Sequence, residues 1–358
     1  MSTVVPLRAA AYRAPRLALL GTGVVGSALV ARYQRLQSAG LALPPLAWLA
    51  NSRALHDCAG APQRALEEAN GAAARRDDLP PWAEAEALHA GDIVIDATAS
   101  DAVAGWHAEW LSRGVHVVTA NKLGAGSGWS RAQAIAQACA ASGARYGDAA
   151  TVGAGLPLLR SLRALVAGGD RIHRVEGVLS GSLAWLFNHY DGMRPFSGFV
   201  RHARQAGYTE PDPRIDLSGE DVRRKLLILA RAAGLPLEQA DVRVESLVPA
   251  ELAALPLDSV DGALAQLDAP VAARFKEAYR NGGRLRFVGR FDRDRASVGL
   301  QVLPEDHPLC GGSGTDNRVA IYSDRYDEQP LVVQGPGAGA GITAAALLDD
   351  VLAIATAR

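Results

Sequence analysis

Residues 17–26 read Leu-Ala-Leu-Leu-Gly-Thr-Gly-Val-Val-Gly, an apolar run that ends in a G-x-G-x-x-G motif. The run predicts a buried strand, and a helical pattern follows from Val24 to Gln37. In that context the motif is typical of a dinucleotide-binding turn: Gly21 allows the tight turn, Gly23 lets the backbone approach a pyrophosphate, and Gly26 lets helix and sheet pack closely. The alternative is a glycine turn without a ligand. The stretch therefore predicts a Rossmann-type fold.

Short apolar segments alternate with helical patterns through the first 150 residues. Strands are predicted at 16–20, 46–50, 93–97, 115–119 and near Tyr146, helices at 24–37, 102–112 and 131–141, and a helical excursion with loops at 60–90. This alternation predicts a parallel sheet that is covered on both faces.

The pattern changes after about residue 150. A helix from Pro157, a strand near 174–179, helices near 183–190, 198–206 and 219–233, and strands near 285–291, 297–303, 318–323 and 331–334 are predicted. This order indicates a mixed α+β domain at 151–334. The glycine-rich segment that follows and a last helix at 342–357 are expected to return to the first domain. We therefore expect an α/β protein with a Rossmann-type nucleotide-binding domain at 1–150, completed by about 335–358.

The end of the second predicted strand bears on the choice of dinucleotide. An NAD site usually carries a carboxylate there, which binds the ribose 2′-hydroxyl. Here the chain reads Ala50-Asn51-Ser52-Arg53, with an arginine and no carboxylate. Arg53 favours a 2′-phosphate and hence NADP, with NAD as the second choice. The alternative is a solvated loop arginine.

The densest group of polar residues is the stretch 207–225, GYTEPDPRIDLSGEDVRRK. Prolines alternate with carboxylates before Ser218, which predicts a rigid non-helical loop, and a helix is predicted after it. Asp221 and Lys225 lie four positions apart and share one face of that helix. Two structural interpretations compete with a catalytic one. Ser218 and Asp221 fit a capping box, and Asp221 and Lys225 fit a surface ion pair worth about 0.3–0.5 kcal/mol.

Lysine is rare in this chain, because only Lys122, Lys225 and Lys276 occur among 37 basic residues. Arginine keeps its proton in proteins, whereas lysine can release it. Lys122 follows the predicted strand 115–119, at the carboxyl edge of the sheet where ligands bind. Lys122 and Lys225 are therefore candidates for proton chemistry, and Lys276 has no motif around it.

Composition narrows the class of protein. The net charge of −1 gives no sign of a nucleic-acid surface or a polybasic membrane anchor. Three scattered cysteines argue against a disulfide framework and for a reducing compartment, and the eight histidines form no ligand pattern. The N-terminal segment has no secretory pattern, and no apolar run is long enough to span a bilayer. We expect a cytoplasmic protein without nucleic-acid or membrane partners.

Several segments between residues 17 and 352 carry a family resemblance: GTGVVGSAL, ANSRAL, DATAS, HVVTANK, TVGAGLPLL, GVLSGSLAWLFN, GYTEPDPRIDLSGEDVRRKLLILAR and QGPGAGAGITAAALLDDV. The chain resembles homoserine dehydrogenase, including the dehydrogenase part of bifunctional aspartokinase–homoserine dehydrogenases. The resemblance implies NAD(P)-dependent interconversion of L-homoserine and L-aspartate 4-semialdehyde, in threonine and methionine biosynthesis, by a homodimer. Since no aspartokinase-like or regulatory segment flanks these matches, threonine feedback through an appended domain is expected to be absent.

The resemblance also implies roles for single residues. Lys225 matches the proton donor and acceptor at the substrate oxygen, Lys122 matches the lysine beside nicotinamide and substrate, and Asp221 is the third residue implied to be catalytic. The residues implied at the substrate are Glu210, Asp216, Asp221 and Ser182. Those implied or predicted at the cofactor are Gly21, Thr22, Gly23, Val24, Val25, Gly26, Arg53, Thr98, Lys122 and Gly339.

A monovalent cation such as Na⁺ is a further implication of the resemblance. The family often carries an acidic residue three positions before Val152, but this chain has Ala149 there and Asp148 one position earlier. The backbone carbonyls of Val152 and Ala154 remain the candidate ligands.

Two other classes of function compete with this interpretation. An aspartate-semialdehyde dehydrogenase needs an activated cysteine nucleophile, and none of the three cysteines lies in a site-like motif. A cofactor-binding protein without catalysis is expected to have lost Lys122 or Lys225, and both are present.

Overall fold

The computed structural model describes residues 14–73 and 88–356. Three parts of the sequence predictions lie outside the described residues: the N-terminal segment 1–13, residues 74–87 of the predicted helical excursion, and the end of the last predicted helix at 357–358. No helix in the described ranges is long and apolar enough to cross a membrane.

The first half of the chain forms a six-stranded sheet in the order β3-β2-β1-β4-β5-β6. Its strands are β1 (Leu17–Leu20), β2 (Leu46–Ala50), β3 (Leu55–Asp57), β4 (Ile93–Asp96), β5 (His116–Thr119) and β6 (Tyr146–Gly147). Its helices are α1 (Val24–Ser38), α2 (Pro62–Gly71), α3 (Asp101–Gly105), α4 (His107–Ser112) and α5 (Trp129–Ser142). All strand pairs are parallel except β2–β3. The predicted Rossmann-type class is confirmed.

Both faces of this sheet are buried, as the strand sequences require. Successive side chains of a strand point to opposite faces. Leu17 and Leu19 of β1 belong to the core that contains α1 and α2, whereas Ala18 and Leu20 belong to the core on the other face. An uninterrupted apolar strand thus contributes to two cores at once.

The second half forms a mixed sheet in the order β12-β11-β7-β9-β10-β8. Its strands are β7 (Ile172–Val178), β8 (Val242–Val244), β9 (Gly283–Asp292), β10 (Ala296–Pro304), β11 (Asp316–Ser323) and β12 (Tyr326–Pro336). The helices are α6 (Leu158–Ala167), α7 (Gly181–His189), α8 (Phe196–Gln205), α9 (Pro213–Leu217), α10 (Glu220–Ala232), α11 (Ala250–Ala253), α12 (Leu257–Ala263) and α13 (Asp268–Arg280). Only the pair β8–β10 is parallel. One face packs on the helices and forms the largest core.

The prediction of a non-helical loop before Ser218 is wrong for residues 213–217, which form α9. Pro213 occupies the first helical turn, where its missing N–H costs nothing, and the Asp212 carboxylate caps the helix by accepting from Arg214 N. The capping-box interpretation is also wrong. Helix α10 begins after Gly219, whose φ of +79° only glycine adopts readily, and the Ser218 hydroxyl donates to Ile215 O.

Other differences concern short elements. The predicted helix 102–112 is two helices, α3 and α4, separated at Trp106. Strand β3 and the elements between 242 and 263 were not predicted, because segments of three to seven residues carry too few apolar positions to show a period. The 13-residue helix α13 was not predicted either.

The last helix, α14 (Ala340–Thr356), packs on α1 and shares the core that lies against β1. Leu347 and Val351 of α14 are fully buried there. Near its end, the Asp350 carboxylate accepts hydrogen bonds from Ala149 N at 2.9 Å and from Arg160 Nη2 at 2.7 Å. The chain therefore leaves the second sheet through β12 and returns to the first sheet.

This return predicts a large stability effect at Leu347. We expect Leu347→Ala to lower the free energy of unfolding by about 2–5 kcal/mol, because it leaves a cavity in the core beside β1. The measurement is chemical denaturation. Leu41→Ala is the control, since Leu41 is 42% exposed and its truncation should change stability by less than about 0.5 kcal/mol. Equal effects of the two substitutions would contradict the packing.

Candidate active site

A cavity of about 1020 Å³ lies between the two halves of the chain. Its walls come from the carboxyl ends of β4 and β5, the loop after β6, the loop 207–210, helix α10 and the turn before α14. The predicted site residues that line it are Val25, Thr98, Lys122, Ala154, Ser182, Glu210, Asp216, Asp221, Lys225 and Gly339. The predicted residues outside its lining are Gly21, Thr22, Gly23, Val24, Gly26, Arg53 and Val152.

Asp221 joins the two candidate lysines. Its carboxylate lies 2.9 Å from Lys225 Nζ and 3.3 Å from Lys122 Nζ, through different oxygens. Burial raises the pKa of the Asp221 carboxyl, but the positive charges of Lys225 and Lys122 outweigh it and hold this pKa well below its usual range. Asp221 is therefore ionised at any working pH and fixes both ammonium groups.

The ion pair between Asp221 and Lys225 is present, but it is not the surface pair that the spacing alone suggested. Lys225 is only 8% exposed, and its Nζ also donates to Leu179 O at 2.7 Å, just past the end of β7. An ammonium group has three hydrogens, and these two contacts use two of them. One hydrogen of Lys225 remains for a ligand atom in the cavity.

The carboxylates on the opposite wall have two different roles. Asp216 accepts from Ser182 Oγ at 2.6 Å and from Glu210 N at 2.9 Å, so it fixes the loop 207–210. The Glu210 side chain is exposed and makes no hydrogen bond or ion pair with the described residues. Its charge is therefore available to a cationic ligand group.

The glycine turn has the shape that a pyrophosphate needs. Gly21 has a φ of +93°, and a Cβ on it would lie 2.9 Å from Ala97 O. A Cβ on Gly26 would lie 1.9 Å from Gly21 O, so helix and strand approach too closely for a side chain. Helix α1 has no side-chain cap and no acidic residue in its first turn. Its N–H groups are left for an anion, and the residues present fit a dinucleotide.

Thr22 lies within this turn and Arg53 beside it, and neither lines the cavity. Thr22 Oγ1 donates to Asn70 Oδ1 at 2.7 Å and accepts from Asn51 Nδ2 at 2.9 Å, which ties the β2–β3 turn to the glycine turn. Arg53 follows Asn51, is exposed, and donates to Asn70 O at 3.1 Å. Arg53 is thus placed next to the glycine turn, and its guanidinium makes one hydrogen bond within the part of the chain that the structure describes.

Asp96 is a site-supporting residue for which the sequence analysis predicted no role. It is fully buried at the carboxyl end of β4, where it accepts from Thr98 N at 2.8 Å and from Asn121 Nδ2 at 3.0 Å. Thr98 and Lys122, the residue after Asn121, both line the cavity. One buried carboxylate therefore fixes two neighbouring loops of the site. The sequence feature that could have indicated this role is a carboxylate at the end of an apolar strand.

A histidine and a tyrosine complete the contacts of Asp96. His107 is also fully buried, with Nε2 2.9 Å from Asp96 Oδ2 and Nδ1 3.1 Å from Tyr146 Oη. Burial, with the charges of Asp148 and Asp96, raises the pKa of the Tyr146 hydroxyl, so it stays protonated. The consistent arrangement has Tyr146 donating to Nδ1 and Nε2–H of His107 donating to Asp96.

The segment around Val152 fits a cation poorly. Val152 is fully buried and Ala154 has a φ of +49°. The acidic side chains nearby are committed, since both oxygens of Asp148 accept from Arg163 at 2.6 and 2.8 Å, and Asp350 binds Arg160. Only backbone carbonyls remain as ligands. The described residues contain no group of three or more His, Cys, Asp or Glu arranged to hold a metal ion.

Comparison with known proteins gives concordant matches for both halves of the chain. A family model described as homoserine dehydrogenase matches residues 157–352, and a model described as homoserine dehydrogenase, NAD binding domain, matches residues 21–147. Homoserine dehydrogenase of Schizosaccharomyces pombe is 39% identical over 73% of this chain and 72% of its own length. That of Emericella nidulans is 38% identical over 73% of this chain and 75% of its own length.

Longer relatives and solved structures agree with these matches. Bifunctional aspartokinase/homoserine dehydrogenase 2 of Escherichia coli is 39% identical over 98% of this chain, but the chain spans only 45% of its length. The chain spans still less, 32%, of bifunctional aspartokinase/homoserine dehydrogenase 1, chloroplastic, of Arabidopsis thaliana. A Candida auris protein of unknown function superimposes with a TM-score of 0.83 at 33% identity, covering 95% of this chain and 98% of that one. The chain therefore belongs to the homoserine dehydrogenase family of NAD(P)-dependent oxidoreductases.

Proposed function

We propose that this chain interconverts L-homoserine and L-aspartate 4-semialdehyde with NAD(P), as a step of threonine and methionine biosynthesis. The observation that carries the proposal is the Lys122–Asp221–Lys225 cluster, which faces Glu210 and Asp216 across one cavity beside the glycine turn. Family membership supports the same reaction. The bifunctional relatives have a second activity in their names, and nothing here assigns it to this chain.

Oxidation of a primary alcohol removes a hydride from carbon and a proton from oxygen. The bound dinucleotide supplies the hydride acceptor. Lys225, as the free amine, takes the hydroxyl proton through its one uncommitted position, and in the reverse direction the ammonium returns it to the aldehyde oxygen. Lys122 directs a second positive charge at the same region, which stabilises the negative charge that develops on the oxygen.

Domain roles follow from the same cavity. Residues 1–150 with 335–358 would form the cofactor domain, and residues 151–334 the substrate and dimerisation domain. The face of the second sheet opposite the helices supports a homodimer, because it carries an open groove of about 610 Å³ whose lining includes Glu176, Val288 and Arg290. A sedimenting mass twice the 37.5 kDa of the chain is expected, and a monomer would contradict the assembly.

We propose a cytoplasmic location because the three cysteines are free, as is usual in a reducing compartment. Fractionation of cells that express the tagged chain tests it. No step of the reaction is assigned to a monovalent cation such as Na⁺. Val152 and Ala154 offer it backbone oxygens only, as the carboxylates beside them bind arginines.

Replacement of Lys225 tests its proposed proton transfer. Arginine keeps the positive charge but does not exchange its proton at working pH, so Lys225→Arg should lower kcat by roughly 100-fold or more. The measurement is homoserine-dependent reduction of NADP at 340 nm, with thermal melts to confirm folding. Lys276→Arg is the matched control and should leave kcat unchanged. If the wild-type enzyme shows no change at 340 nm in either direction of the reaction, the proposed function is wrong. If a folded Lys225→Arg enzyme keeps a normal kcat, Lys225 does not transfer the proton.

Replacement of Arg53 tests the choice of cofactor. Arg53 lies beside the glycine turn where an NAD-specific site carries a carboxylate, so we propose that NADP serves at least as well as NAD. Arg53→Ala should raise KM for NADP and leave KM for NAD nearly unchanged. Steady-state kinetics with both dinucleotides tests this. A strong NAD preference together with unaltered NADP kinetics in the variant would show that Arg53 is a solvated loop residue.

A further inference from the structure

Lys122 and Lys225 reach the cavity from different halves of the chain. Lys122 lies in the loop 120–128, which follows β5 of the first sheet, whereas Lys225 lies on α10. Asp221 joins the two ammonium groups, but each of them ends a flexible four-carbon stem. The spacing of the two lysines therefore depends on how α10 is docked on the loop 120–128.

Helix α10 approaches this loop most closely at Gly126. A Cβ on Gly126 would lie 2.6 Å from Lys122 O and 3.1 Å from Arg224 O, so no side chain fits between the loop and the helix. Gly126 N donates to Lys122 O at 2.8 Å, which closes the turn that begins at Lys122. The backbone of the turn that carries Lys122 thus lies directly against the backbone of α10.

Arg231 makes a second contact between α10 and the loop. Its side chain is only 6% exposed, and Nη1 donates to Ala125 O at 2.5 Å and to Ser127 O at 2.7 Å. Nη2 donates to Leu237 O at 2.8 Å, and the carboxylate of Glu238 lies 3.9 Å away. A guanidinium is costly to remove from water unless it is hydrogen-bonded, and here backbone carbonyls of the loop supply that compensation.

The two ends of α10 thus hold the same loop at two points. Asp221 and Arg231 are ten residues apart, which corresponds to about 15 Å along the helix axis. Hydrogen bonds are directional, so the contacts with Ala125 O and Ser127 O fix the position of α10 along the loop. Arg231 does not line the cavity, so these contacts act without touching a ligand there.

We propose that Arg231 is a positioning residue, which holds Lys122 at the distance from Lys225 that the reaction needs by binding the carbonyls of Ala125 and Ser127. This inference rests on the proposed function and adds a residue that acts on the reaction from outside the cavity. A misplacement of about 1 Å can cost roughly 100-fold in rate. Loss of the contacts of Arg231 should therefore slow the reaction and leave the glycine turn, and with it dinucleotide binding, intact.

The test is a double-mutant cycle between Arg231 and Lys122. Arg231→Met keeps an unbranched side chain without its donors, and it should lower kcat with homoserine by roughly 10-fold or more while KM for NADP stays unchanged. The same substitution is then made in a Lys122→Met enzyme, whose residual rate is measured at high enzyme concentration. There Arg231→Met should lower kcat by less than about twofold, because the group that Arg231 positions is already absent.

Arg223→Met is the matched control, because Arg223 lies on the same helix but pairs with Glu220 at 2.5 Å. It should leave kcat and KM for NADP unchanged, and thermal melts are recorded for every variant. Gly126→Ala carries the test if Arg231→Met folds poorly. Its methyl group must push the turn of Lys122 away from α10, so it should lower kcat with the same dependence on Lys122.

A normal kcat in a folded Arg231→Met enzyme overturns the inference alone. So does an equal loss of kcat with and without Lys122, since the substitution would then loosen the two halves of the chain in general. A rise in KM for NADP at an unchanged kcat overturns it as well. Absence of homoserine turnover by the wild-type enzyme overturns the proposed function itself, and this inference with it.

Discussion

The carboxylate of Asp221 is the interaction on which the site depends. It lies between Lys122, which follows β5 of the first sheet, and Lys225, which lies on a helix of the second half. Removing one member of such a cluster leaves a partly buried charge unpaired, which is strongly destabilising. The cluster therefore couples the docking of the two halves to the placement of the proton-transfer group.

Around that cluster, two further carboxylates fix the loops that line the cavity. Asp96 holds the loops of Thr98 and Asn121, and Asp216 holds the loop of Glu210. Each is a carboxylate that accepts several hydrogen bonds at the edge of the cavity. Such contacts let a reacting group and its ligand keep one geometry, which is the source of rate enhancement through orientation.

The structural features that could be predicted from the sequence are those determined by interactions between neighbouring residues. The apolar run into Gly21 required a strand, a turn and a helix, and the four-residue spacing put Asp221 and Lys225 on one helix face. The scarcity of lysine, together with the positions of Lys122 and Lys225, made these two residues candidates for proton chemistry. The strand, the turn and the two helices are confirmed, because propensity, period and spacing act within a few residues.

Tertiary contacts could not be predicted from these local patterns. Spacing could not distinguish a surface ion pair from a buried one, and the burial of Lys225 against Leu179 decided it. The contact of Lys122 with Asp221, and the Asp96–His107–Tyr146 chain, join residues far apart in sequence. Alternating prolines and carboxylates are typical of a rigid loop, but they also fit a helix that begins at a proline and is capped by an aspartate. Helix α9 is of the second kind and was therefore not predicted.

Chemical rescue of Lys225→Ala tests most directly whether an amine at this position carries the proton. The account predicts that methylamine restores homoserine-dependent NADP reduction in proportion to its unprotonated concentration. Tetramethylammonium at equal ionic strength should have no effect, because it has no proton to exchange. A folded variant that binds homoserine and NADP but gains nothing from methylamine, or that is fully active without it, would contradict the account.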